Sequence, residues 1–198
     1  VEARRKDPRD DLITHLIAAE AGGEKLTTDE LITTCILLLN AGHEATVHTI
    51  GNGVKTLLET QTQATLAPEN IEATVEEILR FDPALHLFTR WAYEEIEVMG
   101  HRFQRGDQVG LLLAAANRDP GVWEDPARFH PARLVKPNAS FGAGLHFCVG
   151  APLARLEGQR CVGRLVQRFA SIRRAPGEPD WVDALAMRGV FTLPIVLN

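Results

Sequence analysis

The sequence predicts a mainly α-helical fold with small β-hairpins. Three observations carry that expectation. Apolar residues recur at helical spacing from Leu31 to Leu58, from Ile71 to Leu79, and from Leu153 to Phe169. Residues 84–116 instead hold short strand-like runs separated by Gly100 and Arg105-Gly106-Asp107. At 198 residues, with 45% hydrophobic and 24% charged, the chain has ordinary globular composition and can bury a core.

Taken in order, a charged stretch from Val1 to Asp11 precedes Leu12, Ile13, Leu16 and Ile17, the spacing of a short amphipathic helix that Ala21-Gly22-Gly23 would end. Thr27-Thr28-Asp29-Glu30 reads as a capping box, with the Thr27 hydroxyl and the Glu30 carboxylate satisfying the first free N–H groups. The pattern that follows predicts one helix of roughly 33 residues, spanning about 50 Å. Its middle, Asn40-Ala41-Gly42-His43-Glu44-Ala45-Thr46, sets two small residues beside a carboxylate. Small residues there permit either a flat ligand to approach, with a local widening of the helix, or plain helix packing with Glu44 in solvent. The stretch is not a zinc motif, because His48 stands five residues after His43, about 140° around the helix.

A polar connector from Glu59 leads to Pro68-Glu69, which starts a helix carrying Ile71, Val75, Ile78 and Leu79 and stopped by Asp82-Pro83. Within it Glu77 and Arg80 lie three apart, close enough to pair. After the predicted strands come the ten residues Phe141-Gly142-Ala143-Gly144-Leu145-His146-Phe147-Cys148-Val149-Gly150 and then a final helix, with Pro152 suited to its first turn. Leu153, Leu156, Val162, Leu165, Val166 and Phe169 are its expected apolar stripe. Arg155, Arg160, Arg164 and Arg168 occupy the other side, either as a solvated face or, with Arg133 and Lys136, as a basic docking patch.

Bulk properties exclude several classes. A net charge of −5 without a long basic run argues against nucleic acid as a partner. The longest apolar run, Cys35-Ile36-Leu37-Leu38-Leu39, is far short of the ~20 residues that cross a membrane, so no membrane association is expected. Cys35, Cys148 and Cys161 make no disulfide framework, and a cytoplasmic setting is the simplest expectation.

The chemistry converges on Cys148. Two glycines before it allow a tight turn and close approach of a bulky group, and a helix N-terminus favours the metal-ligating thiolate. A dinucleotide GxGxxG fails at Phe147, and a zinc or iron–sulfur site lacks neighbouring cysteines, since Cys161 is the nearest. A buried structural cysteine would explain Cys148 alone but not the surrounding pattern.

That pattern, FxxGxHxCxG, resembles the heme-ligand signature of the cytochrome P-450 family, and three further matches follow in register. Ala41-Gly42-His43-Glu44-Ala45-Thr46 is similar to the family's oxygen-activation segment, with Ala41, Gly42 and Glu44 matching. Ala45 departs from it, standing where most members carry threonine, while Thr46 matches the next position. Glu77-Ile78-Leu79-Arg80 looks like the family's buried Glu-Arg pair, which an arginine from Pro126-Ala127-Arg128-Phe129 would complete, making Arg128 the third member. The resemblance covers essentially the whole chain and implies the C-terminal part of that fold, one partial domain over residues 1–198 lacking the first half.

The resemblance further implies heme b held through the Cys148 thiolate, with Phe141, Gly144, Gly150, Ala41 and Gly42 against the cofactor and with Arg90 and His146 on its propionates. Glu44 would be the proton-relay acid, with Thr46 or the substrate covering for Ala45. The implied activity is monooxygenation of a small apolar organic substrate, with a ferredoxin or flavoprotein reductase as electron donor docked on the basic patch. The segments Ala84–Phe88 and Val190–Thr192 would line the substrate site. An inactive fragment that folds without heme, or peroxide-driven chemistry made thinkable by Ala45, are the alternatives.

Overall fold

The structure, a computed structural model, describes residues 1–19 and 26–198. Two compact units divide the chain, Val1–Glu44 and Ala45–Asn198. In the first, the charged opening forms α1 (Glu2–Lys6), and the predicted amphipathic stretch forms α2 (Leu12–Ala19). The expected stop at Ala21-Gly22-Gly23 lies outside the described residues. α3 (Thr28–Ala41) begins on the capping box: Glu30 N–H donates to the Thr27 hydroxyl at 3.3 Å, and Thr27 N–H donates to the Glu30 carboxylate at 2.8 Å. That Thr27 N–H, with the Thr27 hydroxyl, holds the Glu30 carboxyl below its ordinary range.

The single long helix expected from residue 27 to 58 is two helices. α3 ends at Ala41, Gly42 and His43 form a turn, and α4 (Glu44–Glu59) starts afresh. Gly42 N–H still donates to the Leu38 carbonyl at 3.2 Å, but glycine contributes no side chain to fix the helical backbone and costs about 1 kcal/mol relative to alanine in a helix interior.

The second unit is built on α4, α5 (Ile71–Phe81) and α7 (Ala151–Arg168), joined by two apolar clusters. Leu57, Ile78, Phe129 and Val162 form one, against Leu66, Ile71 and Phe81. Val54, Leu58 and Ile172 form the other, against Leu165, Val166, Phe169, Leu193 and Ile195. Glycine makes these helices approach closely: a Cβ on Gly53 would meet Ile78 at 2.9 Å, and one on Gly158 would meet Val75 at 3.1 Å.

Four antiparallel two-stranded ribbons accompany these helices among the described residues. β1 (Leu87–Trp91) pairs with β4 (Gln108–Leu112), enclosing the hairpin β2 (Ile96–Val98) and β3 (His101–Phe103), and a short α6 (Leu113–Ala116) follows. Near the C-terminus β5 (Ile172–Arg174) pairs with β8 (Ile195–Leu197), and β6 (Asp180–Trp181) with β7 (Val190–Thr192).

The predicted stripe of α7 needs one correction. Leu153 and Leu156 are exposed, whereas Gly158 and Val162 are buried. Leu153 precedes Val162 by nine residues, about 180° around the helix, so the two cannot share a face.

Candidate active site

The site is anchored by one buried arginine. Arg80 is 1% exposed, and all of its N–H groups are used. Nε and Nη2 donate to the two Glu77 carboxylate oxygens at 2.7 and 2.8 Å, Nη1 to the Asn117 and Pro126 carbonyls at 3.0 Å each, and Nη2 also to the Arg128 carbonyl at 3.2 Å. The planar fork suits this bidentate pairing in a way no ammonium can. Glu77 is satisfied in turn by His130 N–H at 2.9 Å and by Arg133 Nε at 3.2 Å.

The third arginine is therefore Arg133, not Arg128. Arg128 takes part through its backbone carbonyl, which accepts from both Arg80 and Arg133, while its side chain is exposed. Arg133 reaches Glu77 and also donates to the Glu124 and Asp125 carbonyls at 2.6 and 3.2 Å. The tripeptide Pro-Ala-Arg occurs twice, at residues 126–128 and 131–133, so the signal was present in two copies.

Polar contacts carry this anchor to the cysteine loop. Asn117, almost fully buried, donates from Nδ2 to Ser140 Oγ at 2.8 Å and accepts from Ala139 N–H at 2.6 Å. Ser140 Oγ donates to the Leu79 carbonyl on α5 at 2.6 Å. Arg155 on α7 pairs with Glu76 and lies 4.6 Å from the Phe141 ring centroid, clamping the first residue of the loop. Lys136 donates to the Val122 carbonyl and stacks over Trp123. Arg133, Lys136 and Arg155 thus serve internal contacts, which removes them from the basic patch.

The loop itself is a tight structure. Gly142 and Gly144 adopt φ of +69° and +70°, which side-chain-bearing residues rarely take. Gly144, Leu145 and His146 form a 3-10 turn, closed by Phe147 N–H to the Gly144 carbonyl at 3.0 Å. Cys148 N–H donates to the Phe141 carbonyl at 3.0 Å, and Ala151 N–H donates to the Cys148 carbonyl at 3.2 Å. The half-buried thiol thus stands two residues before Gly150, the N-cap of α7; a Cβ on Gly150 would lie 3.8 Å from Sγ.

The comparisons with known proteins bear on this loop and its anchor together. The family model described as Cytochrome P450 matches residues 69–180, more than half of the chain. The chain belongs to the cytochrome P450 family. Among the relatives of this P450 chain, the polyketide biosynthesis cytochrome P450 PksS of Bacillus subtilis (strain 168) is 39% identical over 204 residues, covering 100% of this chain and 50% of that protein. The biotin biosynthesis cytochrome P450 of the same organism is also 39% identical, covering 100% and 51%. The crystal structure of P450BioI in complex with hexadec-9Z-enoic acid ligated acyl carrier protein superposes with a TM-score of 0.93 at 38% identity, covering all of this chain and 51% of that one. The chain spans about half the length of these relatives.

The P450 family implies heme b, and the loop residues suit it. Cys148 supplies a free thiol in the loop, and no other heavy atom beyond the chain neighbours lies within 4 Å of where a Cβ on Gly144 would stand, so a flat ring can approach that backbone. Leu145, Phe147 and Val149 expose apolar surface around it. His146 and Arg90 are exposed as well; the Arg90 guanidinium donates to its neighbour Thr89 carbonyl at 2.9 Å, and no contact joins the two among the described residues. Of the oxygen-activation residues, Ala41 ends α3, Gly42 sits in the turn, and Glu44, exposed, opens α4, with half-buried Ala45 and Thr46 in its first turn. Ala41, Gly42 and Glu44 belong to the first unit, whereas Ala45, Thr46 and the cysteine loop belong to the second. Sequence reasoning missed Asn117, Ser140, Glu76 and Arg133, whose partners lie far away in sequence.

Proposed function

We propose that this chain is the heme-binding half of a monooxygenase that inserts one atom of O2 into an apolar organic substrate, with electrons from a ferredoxin or flavoprotein reductase. The observation that carries it is the Cys148 loop, in which two left-handed glycines precede the cysteine, tied to the Glu77–Arg80–Arg133 cluster. Bound heme supplies the oxygen-activating chemistry. Cys148 would be its protein ligand, held by Phe141 and Ala151 through the backbone. Arg90 and His146 would donate to its carboxylates, and Phe141, Gly144 and Gly150, with Ala41 and Gly42, would leave room for the ring. Glu44 would move protons, and Thr46 would hold a water or substrate hydroxyl where Ala45 has none. The relatives named for polyketide and biotin biosynthesis, with the acyl carrier protein complex of P450BioI, support an apolar acyl-like substrate.

The test is the reduced, carbon monoxide-bound absorption spectrum of the chain expressed with heme precursor. A red-shifted thiolate-type band is expected, and Cys148→Ser should abolish it. Retention of that band in Cys148→Ser would overturn the ligand assignment, and no heme band in the wild-type chain would overturn heme binding by this half.

A further inference from the structure

We propose that Arg188 is a positioning residue: its ion pair to Asp82 pins the register of residues 186–192 and so sets Phe191 at the proposed substrate site. The substrate role rests on the proposed function; the pin itself does not. Phe191 is 79% exposed, whereas its neighbour Val190 is buried. Successive strand residues point to opposite faces, so a slip by one residue would exchange the two.

The ladder that carries Phe191 is a weak guide to register. β6 is two residues long, and its pairing with β7 shifts: Trp181 stands opposite Val190 and Asp180 opposite Thr192, which leaves Phe191 as the extra residue of a bulge. Bulges re-aim a side chain and disrupt the ladder locally. On one side Val182 N–H donates to the Gly189 carbonyl at 2.9 Å, and on the other an exposed bond runs from the Thr192 hydroxyl to the Asp180 carboxylate at 2.7 Å.

The residues just before it are held against the core. His86 N–H donates to the Ala186 carbonyl at 2.9 Å and Arg188 N–H to the Ala84 carbonyl at 2.7 Å, with Leu85 opposite Met187. Fully buried Asn52 on α4 donates from Nδ2 to the Asp82 and Arg188 carbonyls at 3.3 and 3.0 Å. Backbone bonds of this kind do not depend on which residue supplies them; the Asp82 carboxylate is what distinguishes Arg188 from its neighbours. It is buried and accepts from Arg188 Nε at 3.0 Å, with Lys55 Nζ 3.8 Å from its other oxygen. Moving Arg188 by one residue would leave that carboxylate short of a cation, which burial makes costly. The Arg188 guanidinium also lies 3.9 Å from the ring centroid of Trp181, the residue opposite Val190, so the same side chain grips β6. Close approach seats the segment: a Cβ on Gly51 would fall 2.8 Å from Val190 Cγ2, and one on Gly189 would collide with the His48 ring.

The test places 4-fluorophenylalanine at position 191 of the whole chain and reads its fluorine-19 line together with amide hydrogen exchange. Arg188→Gln should shift or split the line and speed exchange of the N–H groups at positions 86 and 188 at least about tenfold, while the amides of Leu57 and Ile78 in the core keep their rates. Asp82→Asn should give the same two changes, and the double variant no more than either. Only Nε reaches Asp82, a single contact that an ammonium can supply, so Arg188→Lys should keep the wild-type line. An unmoved fluorine line in Arg188→Gln would overturn the proposal. So would an Arg188→Lys line like that of Arg188→Gln, or exchange that quickens equally in core and segment, which marks a loss of general stability. None of these signals needs heme, so a wild-type chain without a heme band would fail the heme reading alone.

Discussion

Arg80 shows how much one side chain fixes here. Its guanidinium is buried and saturated, so Arg80→Lys keeps the charge but strands several acceptors. Removing one member of a buried pair typically costs about 3–5 kcal/mol. Urea unfolding of Arg80→Lys should show a loss of about that size, and Arg133→Ala a smaller one. Arg128→Ala should stay within about 0.5 kcal/mol, because only its carbonyl is used. An Arg128→Ala loss equal to that of Arg80→Lys would overturn the assignment of Arg133 as the third member. His86 is a second residue with a readable consequence. Burial pushes its pKa below the ordinary 6.5, opposed by Asp82 and reinforced by Arg188 and Arg118, and its Nε2 has no hydrogen-bond partner. Above the ordinary value both folded and unfolded states hold neutral imidazole. As pH falls through it the unfolded chain takes up the proton first, so stability is lost toward acid. The urea midpoint should therefore fall as pH drops through and below the ordinary imidazole range, and His86→Gln should flatten that fall. An unchanged slope in His86→Gln would assign the effect to another group.

At the scale of elements, helix packing sets opposite signs for the same substitution. Gly53→Ala gains about 1 kcal/mol of helix propensity but drives a methyl to 2.9 Å from two carbons of Ile78, and overpacking of a core costs about 1–3 kcal/mol. At Gly163 a Cβ would meet Ile71 at 3.6 Å, an ordinary contact. Denaturant unfolding should find Gly53→Ala destabilised by about 1 kcal/mol and Gly163→Ala stabilised by about 0.5–1 kcal/mol; the same sign for both would mean that these contacts do not govern packing. Elements with strong periodicity and clear stops were legible in the sequence. Asp82-Pro83 ends α5 as its letters suggest, and the capping box opens α3. The break at Gly42-His43 was not legible, because apolar spacing continues across it on both sides. The two- and three-residue strands β5, β6 and β8 are too short to carry a period, and α6 consists of four apolar residues that fit either state.

Across the whole molecule, the cysteine loop and the Glu77–Arg80 pair were legible because their residues are local. Arg133, Asn117 and Ser140 were not, since only folding brings α5, the end of α6 and the segments before the cysteine loop together. The same distinction explains the misread stripe of α7. Leu153 and Leu156 are apolar yet exposed, and close in sequence to Val149, which is 87% exposed, and Leu145, which is 96% exposed. Apolar patches of this kind on an isolated protein mark surfaces that something else covers. The chain spans about half the length of its relatives, and the prediction is that the part of their fold it does not match would cover Leu153 and Leu156. A chimera that adds the unmatched half of PksS should bind markedly less of the hydrophobic dye ANS per chain than the 198-residue chain does. Leu153→Glu should leave the isolated chain within about 0.5 kcal/mol of wild type, since the residue is already in water. In the chimera the same change should bury an unpaired carboxylate and cost about 2 kcal/mol or more. If Leu153→Glu is equally mild in both, the outer face of α7 is ordinary surface and the added half does not seat there.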